Sequence, residues 1–169
     1  MDRIETRRMK GKPIKAAMAP RTSVYSYRQM LRQATPMERV KLERRGVPAE
    51  IIKVLLTEFG MTTGAVQKLA GIPKSTYTKK IREKAPFAGT PGQSVIGLLD
   101  LVNMVEDMLK DMPDMAVPPG FSAEKWVAEW VERPQPALGG VAPIDIMDTP
   151  TGRASVMKLL GSLQSGAYQ

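Results

Sequence analysis

At 169 residues, 43% of them hydrophobic, the chain is sized for one domain or for two small ones sharing a core. Cysteine and histidine are both missing from the sequence, which excludes a disulfide, a zinc site built on either residue, a Cys-His nucleophile and a Ser-His-Asp triad. The net charge of +8 is unevenly spread: residues 1–92 hold 20 Lys and Arg against 7 Asp and Glu, whereas residues 93–169 hold 5 against 10. A basic half suits a polyanion and an acidic half suits a protein, so the chain reads as bipartite. With no apolar run of about 18 residues and no apolar stretch in the opening MDRIETRRMKGKP, neither membrane insertion nor export is expected, and the expected address is cytoplasmic.

Residues 1–22 carry Arg3, Arg7, Arg8, Lys10, Lys12 and Lys15 with little apolar periodicity, and Pro13 and Pro20 interrupt any helix, which predicts a basic flexible arm. It either touches nucleic acid or only solubilises the chain. From Ser23 the pattern turns helical, and Thr35-Pro36-Met37-Glu38 predicts a capping box that opens a helix running to about Arg45 and stopping at Gly46. After Pro48, the residues Ile51, Ile52, Leu55, Leu56 and Phe59 fall on one face of a second helix ending at Gly60. Thr62 or Thr63 caps a third helix through Leu69, and Gly71-Ile72-Pro73 separates it from a fourth over about Lys74 to Lys84.

Those last two helices have the form of a helix-turn-helix, which places residues 23–92 as a DNA-binding and dimerisation region. The second helix of such a unit enters the major groove, its first residues touching base edges while cations grip phosphates. Thr63, Lys74, Ser75, Thr76, Thr78, Lys79 and Arg82 are the candidates, and Lys84 could also reach the backbone. Two positions depart from the usual packing of the motif. Gln67 stands where a small residue is usual, and Lys80 stands where an apolar one is, leaving Ile81 to fill the gap.

Residues 93–169 form the second expected unit. Pro86 to Gly92 reads as a loop, and Ser94 opens a long helix, 94–112, that is apolar on more than one face and therefore buried or shared in a dimer core. Met104, Met108, Met112 and Met115 make a stripe on it that reads as core filling more readily than as a contact surface. Glu106, Asp107, Asp111 and Asp114 read as a solvated acidic end, since no glycine-bearing calcium loop accompanies them and no metal site is expected. Ser122 caps a helix with Trp126, Val127, Trp130 and Val131 on one face. Thr149-Pro150 starts the last helix, where Val156, Leu159, Leu160 and Leu163 predict a core stripe and Gly166 the end. No strand alternation or internal repeat is present, so the expected fold is all-α.

The C-terminal pattern is more specific than its helices. Trp126 and Trp130, then Pro134-Gln135-Pro136-Ala137-Leu138-Gly139-Gly140, Ala142-Pro143-Ile144-Asp145-Ile146-Met147-Asp148-Thr149, the Gly152 helix with Leu159-Leu160-Gly161, and Gly166-Ala167-Tyr168 resemble the toxin-binding domain of Xre/MbcA/ParS antitoxins. The resemblance covers about residues 55–169. It departs at Gln135, where the family often has Asn, and at Val141-Ala142, where a polar residue and Thr usually precede the proline. It implies a helix-turn-helix domain followed by a small helical toxin-binding domain. It also implies a RES-domain toxin that consumes NAD as partner, operator DNA repressed by a homodimer, and no cofactor or catalysis in the chain itself. Under the resemblance Ala137, Leu138, Gly139, Gly140, Arg153, Tyr168 and Gln169 become candidates for toxin contact. Two alternatives stay open: a free-standing repressor whose C-terminal half only dimerises or senses a ligand, and a hydrolase or transferase built on the Asp107 to Asp114 carboxylates.

Overall fold

The computed structural model describes residues 23–111 and 117–164. Eight α-helices are present among them: α1 (Val24–Gln33), α2 (Pro36–Arg45), α3 (Ala49–Thr57), α4 (Thr63–Ala70), α5 (Lys74–Glu83), α6 (Thr90–Asp111), α7 (Ala123–Val131) and α8 (Pro150–Gln164). Two 3-10 turns, Pro136–Leu138 and Pro143–Asp145, lie between α7 and α8. No named strand occurs among the described residues, only the isolated bridges Val47 to Phe87 and Gln135 to Val141.

Local chemistry sets most helix starts. Ser23 accepts from Ser26 N–H at 3.0 Å to cap α1, Thr62 accepts from Ala65 N–H at 3.1 Å to cap α4, and Ser122 accepts from Lys125 N–H at 3.2 Å to cap α7. At α2 the predicted capping box forms in both directions, with Thr35 N–H donating to Glu38 Oε2 at 2.8 Å and Glu38 N–H donating to Thr35 Oγ1 at 3.4 Å.

Two boundaries differ from the expectation. The segment after Ser23 is a helix of its own, α1, so five helices rather than four precede α6. The long helix opens at Thr90, not Ser94: Pro91 occupies its first turn, where a missing N–H costs nothing, and Gly92 lets the backbone approach Phe87 O too closely for any side chain. Ser94 lies one turn inside, completely buried, and its hydroxyl donates to Thr90 O and Met147 O, both at 3.0 Å.

Helix α6 is the axis of the molecule. It is apolar all round because α1, α2, α4, α7 and α8 of the same chain pack on it. Val95, Ile96, Leu98, Leu99, Leu101, Val102 and Val105 are buried by those neighbours, which is the first of the two readings, buried or shared in a dimer core, that its apolar faces allow. The core is continuous from Val24 to Leu160, so the division at residues 92 and 93 cuts through α6 and one apolar cluster serves both halves. Met104 and Met108 pack on that cluster as core filling, while Met112, Met115 and Asp114 lie outside the described residues.

Charge closes the same seam. Arg28, on α1, is 1% exposed and donates to Asn103 Oδ1 at 3.0 Å and to Glu124 Oε1 at 2.5 Å, and it pairs with Glu106. Beside it Arg32 pairs with Glu106 at 2.9 Å and Asp107 at 2.6 Å, while Arg39 pairs with Asp100. Glu106 and Asp107 are therefore ion-pair partners and not a merely solvated acidic end. Part of the charge asymmetry between the halves is accordingly an internal seam: Arg28, Arg32, Arg39 and Lys68 of the basic half meet five carboxylates of the acidic half.

The seam makes folding acid-sensitive. Burial pushes the Glu124 carboxyl up, but its own backbone amide, the Ser122 hydroxyl and the Arg28 guanidinium outweigh it and hold the group below the ordinary glutamate value. Since the unfolded chain then binds the proton more tightly, Glu124 contributes stability above the unfolded value that is lost as pH falls through the folded one. Asp100 acts in the opposite sense, because burial raises it despite Arg39. Thermal melts of the wild type and Glu124→Gln are expected to differ near pH 7 and to draw together as pH falls below the ordinary glutamate value and through the lower folded one. A pH-independent difference would remove the carboxylate from the seam's energetics.

Candidate functional site

Two exposed surfaces stand on this frame. In the first, α4 ends at Gly71, whose φ of +62° makes the left-handed turn, and α5 follows after Pro73. Lys74, Ser75, Thr78, Lys79 and Arg82 are all exposed, and at 100° per residue they fall within an arc of about 140° on one face of α5. Three cations and two hydroxyls on one helix face, with no carboxylate among them, match what a phosphate-lined groove requires. Thr63 is exposed at the start of α4, while Thr76 is half-buried at the edge of the α5 face. The inner side of α5 is anchored by Tyr77, buried with its ring 6.1 Å from that of Phe87. Lys80, out of pattern for the motif, lays its stem inward: Nζ donates to Pro86 O at 3.0 Å and sits 5.6 Å from the Phe87 ring centroid. Ile81 packs on the core beside it, as expected.

The second surface is built from the loop 135–141 and the outer side of α8. Gln135 N–H donates to Val141 O at 3.1 Å and Gly140 N–H donates to Gln135 O at 3.0 Å, closing a tight loop around the turn Pro136–Leu138. Gly139 and Gly140 have φ of +70° and +82° with open space where a Cβ would be, so they are glycines for their backbone angles and not for crowding. Between Ala137 and Leu138 of the loop and Ser155, Lys158, Leu159 and Ser162 of α8 lies a shallow pocket of about 230 Å³. Leu163, predicted in the core stripe, is 47% exposed one turn beyond Leu159 of this pocket, in the last turn of α8, and Val141 is 39% exposed at the loop's end.

Beneath that surface the segment 142–149 is mostly support. Ile144 and Met147 are buried in the core, Asp145 pairs with Lys68 of α4 at 2.5 Å, and Asp148 lies against the Gly71 turn of the helix-turn-helix. The two surfaces thus share one support. Arg153 is half-buried and directed at α6, donating to Met147 O at 2.9 Å and to Gln93 Oε1 at 3.2 Å, so it seats α8. Trp130 is buried and stacks on Trp126 with centroids 6.0 Å apart, an anchor for α7. Tyr168, Gln169 and Gly166 lie outside the described residues.

Residues 38–92 match the antitoxin Xre-like helix-turn-helix domain, and residues 119–166 match the antitoxin Xre/MbcA/ParS C-terminal toxin-binding domain. Over 147 residues, 87% of this chain and 90% of the relative, the sequence is 32% identical to the Prs ADP-ribosylating antitoxin of Sphingobium sp. (strain YBL2). The chain belongs to the Xre/MbcA/ParS antitoxin family. It is also 25% identical, over 72% of its length and 74% of the relative, to Antitoxin Xre of Photorhabdus laumondii subsp. laumondii.

The first surface lies inside the residues matched to the helix-turn-helix domain and the second inside those matched to the toxin-binding domain. The antitoxin carries its helix-turn-helix in the basic half and its toxin-binding domain in the acidic half, as the motifs imply. No helix among the described residues is long and apolar enough to cross a membrane. Sequence reasoning missed Lys158 and Val141 at the second surface. The available signal for Lys158 was its place opposite the apolar stripe of α8, in a half with only five cations.

Proposed function

We propose that this antitoxin captures a RES-type NAD-consuming toxin through the loop Ala137–Gly140 and the outer side of α8, covering the entrance to the toxin's active site. In the same account it represses its own operon through α5. It acts by binding and not by catalysis, in the cytoplasm where both promoter and NAD are found. The observation that carries the first part is the pocket between the loop and α8, floored by buried Leu159 and half-buried Leu138 and flanked by the exposed Ala137, Val141 and Leu163, inside the region matching a toxin-binding domain. The name of the Sphingobium relative couples an antitoxin to ADP-ribosylation, a transfer that draws on NAD. Arg153 and Gly152 serve this surface by seating α8, and Tyr168-Gln169 would extend it. For repression, a two-fold homodimer would set two α5 helices about 34 Å apart, one turn of DNA. Since α6 is covered by its own chain, that dimer would be made elsewhere.

The test is a capture from the native cell with the full chain as bait, because a fragment starting at residue 93 would lose half the packing of α6. Recovery of an NAD-consuming protein that the added chain silences in proportion to its amount supports the account. A chain that binds its promoter and silences no such protein is instead the free-standing repressor. For the DNA part, Lys79→Glu is expected to raise expression from a promoter reporter at least tenfold, with capture unchanged. An unaffected reporter would remove α5 from the operator.

A further inference from the structure

Helix α2 is the one α-helix among the described residues that buries no side chain. Its ten residues fall short of the length of about 12 at which isolated helices become even marginally stable, so such a helix draws its stability from a packed face. On its inner side Arg39 pairs with Asp100 of α6 and with Glu43 one turn on, at 3.6 Å. At its end Gly46 lies against Ala88 and Gly92, and the Val47 to Phe87 bridge holds it beside the start of α6. The other side is open. Glu38, Lys41, Leu42 and Arg45 follow the i, i+3, i+4, i+7 spacing and form one stripe, turned about 130° from the edge of Arg39 and Glu43. With Met30, Gln33 and Ala34 of α1 this stripe lines a groove of about 410 Å³. Its apolar members are Met30, 43% exposed, and the half-buried Ala34 and Leu42, while Glu38, Lys41 and Arg45 are exposed.

The order of charges along the stripe selects the occupant. Glu38 and Arg45 are seven residues apart, about 10 Å along the axis, too far to pair with each other. Glu38 commits Oε2 to the Thr35 cap, and its Oε1 has no partner among the described residues. Arg45 forms no ion pair among the described residues, whereas Arg39 of the same helix forms two. A second α2 laid antiparallel on the stripe puts its Arg45 opposite Glu38 and its Glu38 opposite Arg45. At the centre it sets Leu42 of each copy against the stem of Lys41 of the other. Met30 of each copy then meets the partner helix, a contact to which methionine adapts. An acid at one end, a cation at the other and leucine between them is a self-complementary pattern, which a two-fold contact between identical chains requires. A nucleic acid would meet Glu38 as a repulsive charge within the same stripe.

We propose that two copies of this chain associate by packing α2 antiparallel against α2 in the groove between α1 and α2, with a Glu38 to Arg45 pair at each end of the contact. The inference rests on the reading of the chain as a two-fold repressor and gives that homodimer the surface that α6 does not supply.

The experiment is sedimentation of the full chain over a concentration series, free and on a duplex from its own promoter. The samples are the wild type, Glu38→Arg, Arg45→Glu, an equimolar mixture of those two variants, and Met30→Glu. By symmetry either charge reversal sets like charges together twice, so each variant alone is expected to raise the dimer dissociation constant about tenfold or more. Met30→Glu, which leaves the Thr35 cap intact, is expected to weaken the dimer as well by placing a carboxylate in the apolar part of the groove. The mixture is expected to return to about the wild-type value, because one chain then carries cations and the other carboxylates at both positions. Damage to the cap in Glu38→Arg could not produce that recovery. A wild-type dimer that no variant weakens, or variants that stay apart when mixed, would overturn the α2 contact and leave the homodimer reading in place. Weaker promoter binding by Arg45→Glu with an unchanged dimer would also overturn it and assign the stripe to DNA. A wild type that stays monomeric both free and on the duplex would overturn the homodimer itself.

Discussion

Arg28→Ala is expected to be the most destabilising substitution of a charged residue in the chain, costing about 3 kcal/mol or more. The side chain is 1% exposed, and it satisfies Asn103, Glu106 and Glu124 at once. Its removal strands the Glu124 carboxylate beside the core with no cation, leaves Glu106 with Arg32 alone, and opens a void at the joint of α1, α6 and α7. Because Glu106 and Glu124 keep about a quarter of their side-chain exposure, water recovers part of the loss, which holds the estimate to the lower end of the range for broken buried pairs. Arg28→Met fills the void but still strands Glu124, so it should fall between the wild type and Arg28→Ala in urea melts. A cost below about 0.5 kcal/mol in Arg28→Ala, the level of an exposed pair, would mean that the apolar core alone holds α1.

Gly152→Ala is expected to abolish toxin capture while leaving DNA binding in place. A Cβ at this position would overlap Ile146 O and press on Thr149 Oγ1, which itself accepts from Gly152 N–H at 2.9 Å to cap α8. The obstruction is backbone and cannot rotate away, so α8 must shift at its start, at the upper end of the roughly 1–3 kcal/mol that overpacking costs. The shift separates Ser155 and Lys158 from the loop at Ala137 and Leu138, opening the pocket between them. Gly161→Ala is the matched control, since a Cβ there meets nothing within 4 Å. Equal capture by both variants would show that the loop and α8 need not be held in register.

These two residues also show what the sequence reveals. Gly152 lies in a run that family resemblance picks out, and its reason is local: six residues back the chain crosses the helix start. Caps at Thr35, Thr62 and Ser122 are legible for the same reason, since donor and acceptor are three residues apart. Arg28 is not legible. Its partners lie 75 to 96 residues away, and a lone Arg among basic neighbours reads as surface. The same blindness made the excess charge of each half look wholly available to outside partners, when four of its cations serve the internal seam. The beginning of α6 was hidden because Pro91-Gly92 carries the signature of a loop, and only the approach of Phe87 O explains a glycine inside the helix. At the proposed toxin-binding surface, the glycines of the loop were legible but Lys158 and the exposed Leu163 were not, since exposure on α8 depends on where α6 and the loop come to lie.

The central claim is that one rigid body carries two separable binding faces. Its most direct test measures, for a single pair of variants, both silencing of the captured NAD-consuming protein and affinity for the promoter duplex. Lys158→Glu/Leu163→Glu is predicted to lose at least a hundredfold in silencing with promoter affinity within twofold of wild type, and Lys79→Glu to do the reverse. If Lys158→Glu/Leu163→Glu silences as well as the wild type, the outer side of α8 is not the toxin-binding face and the account is wrong.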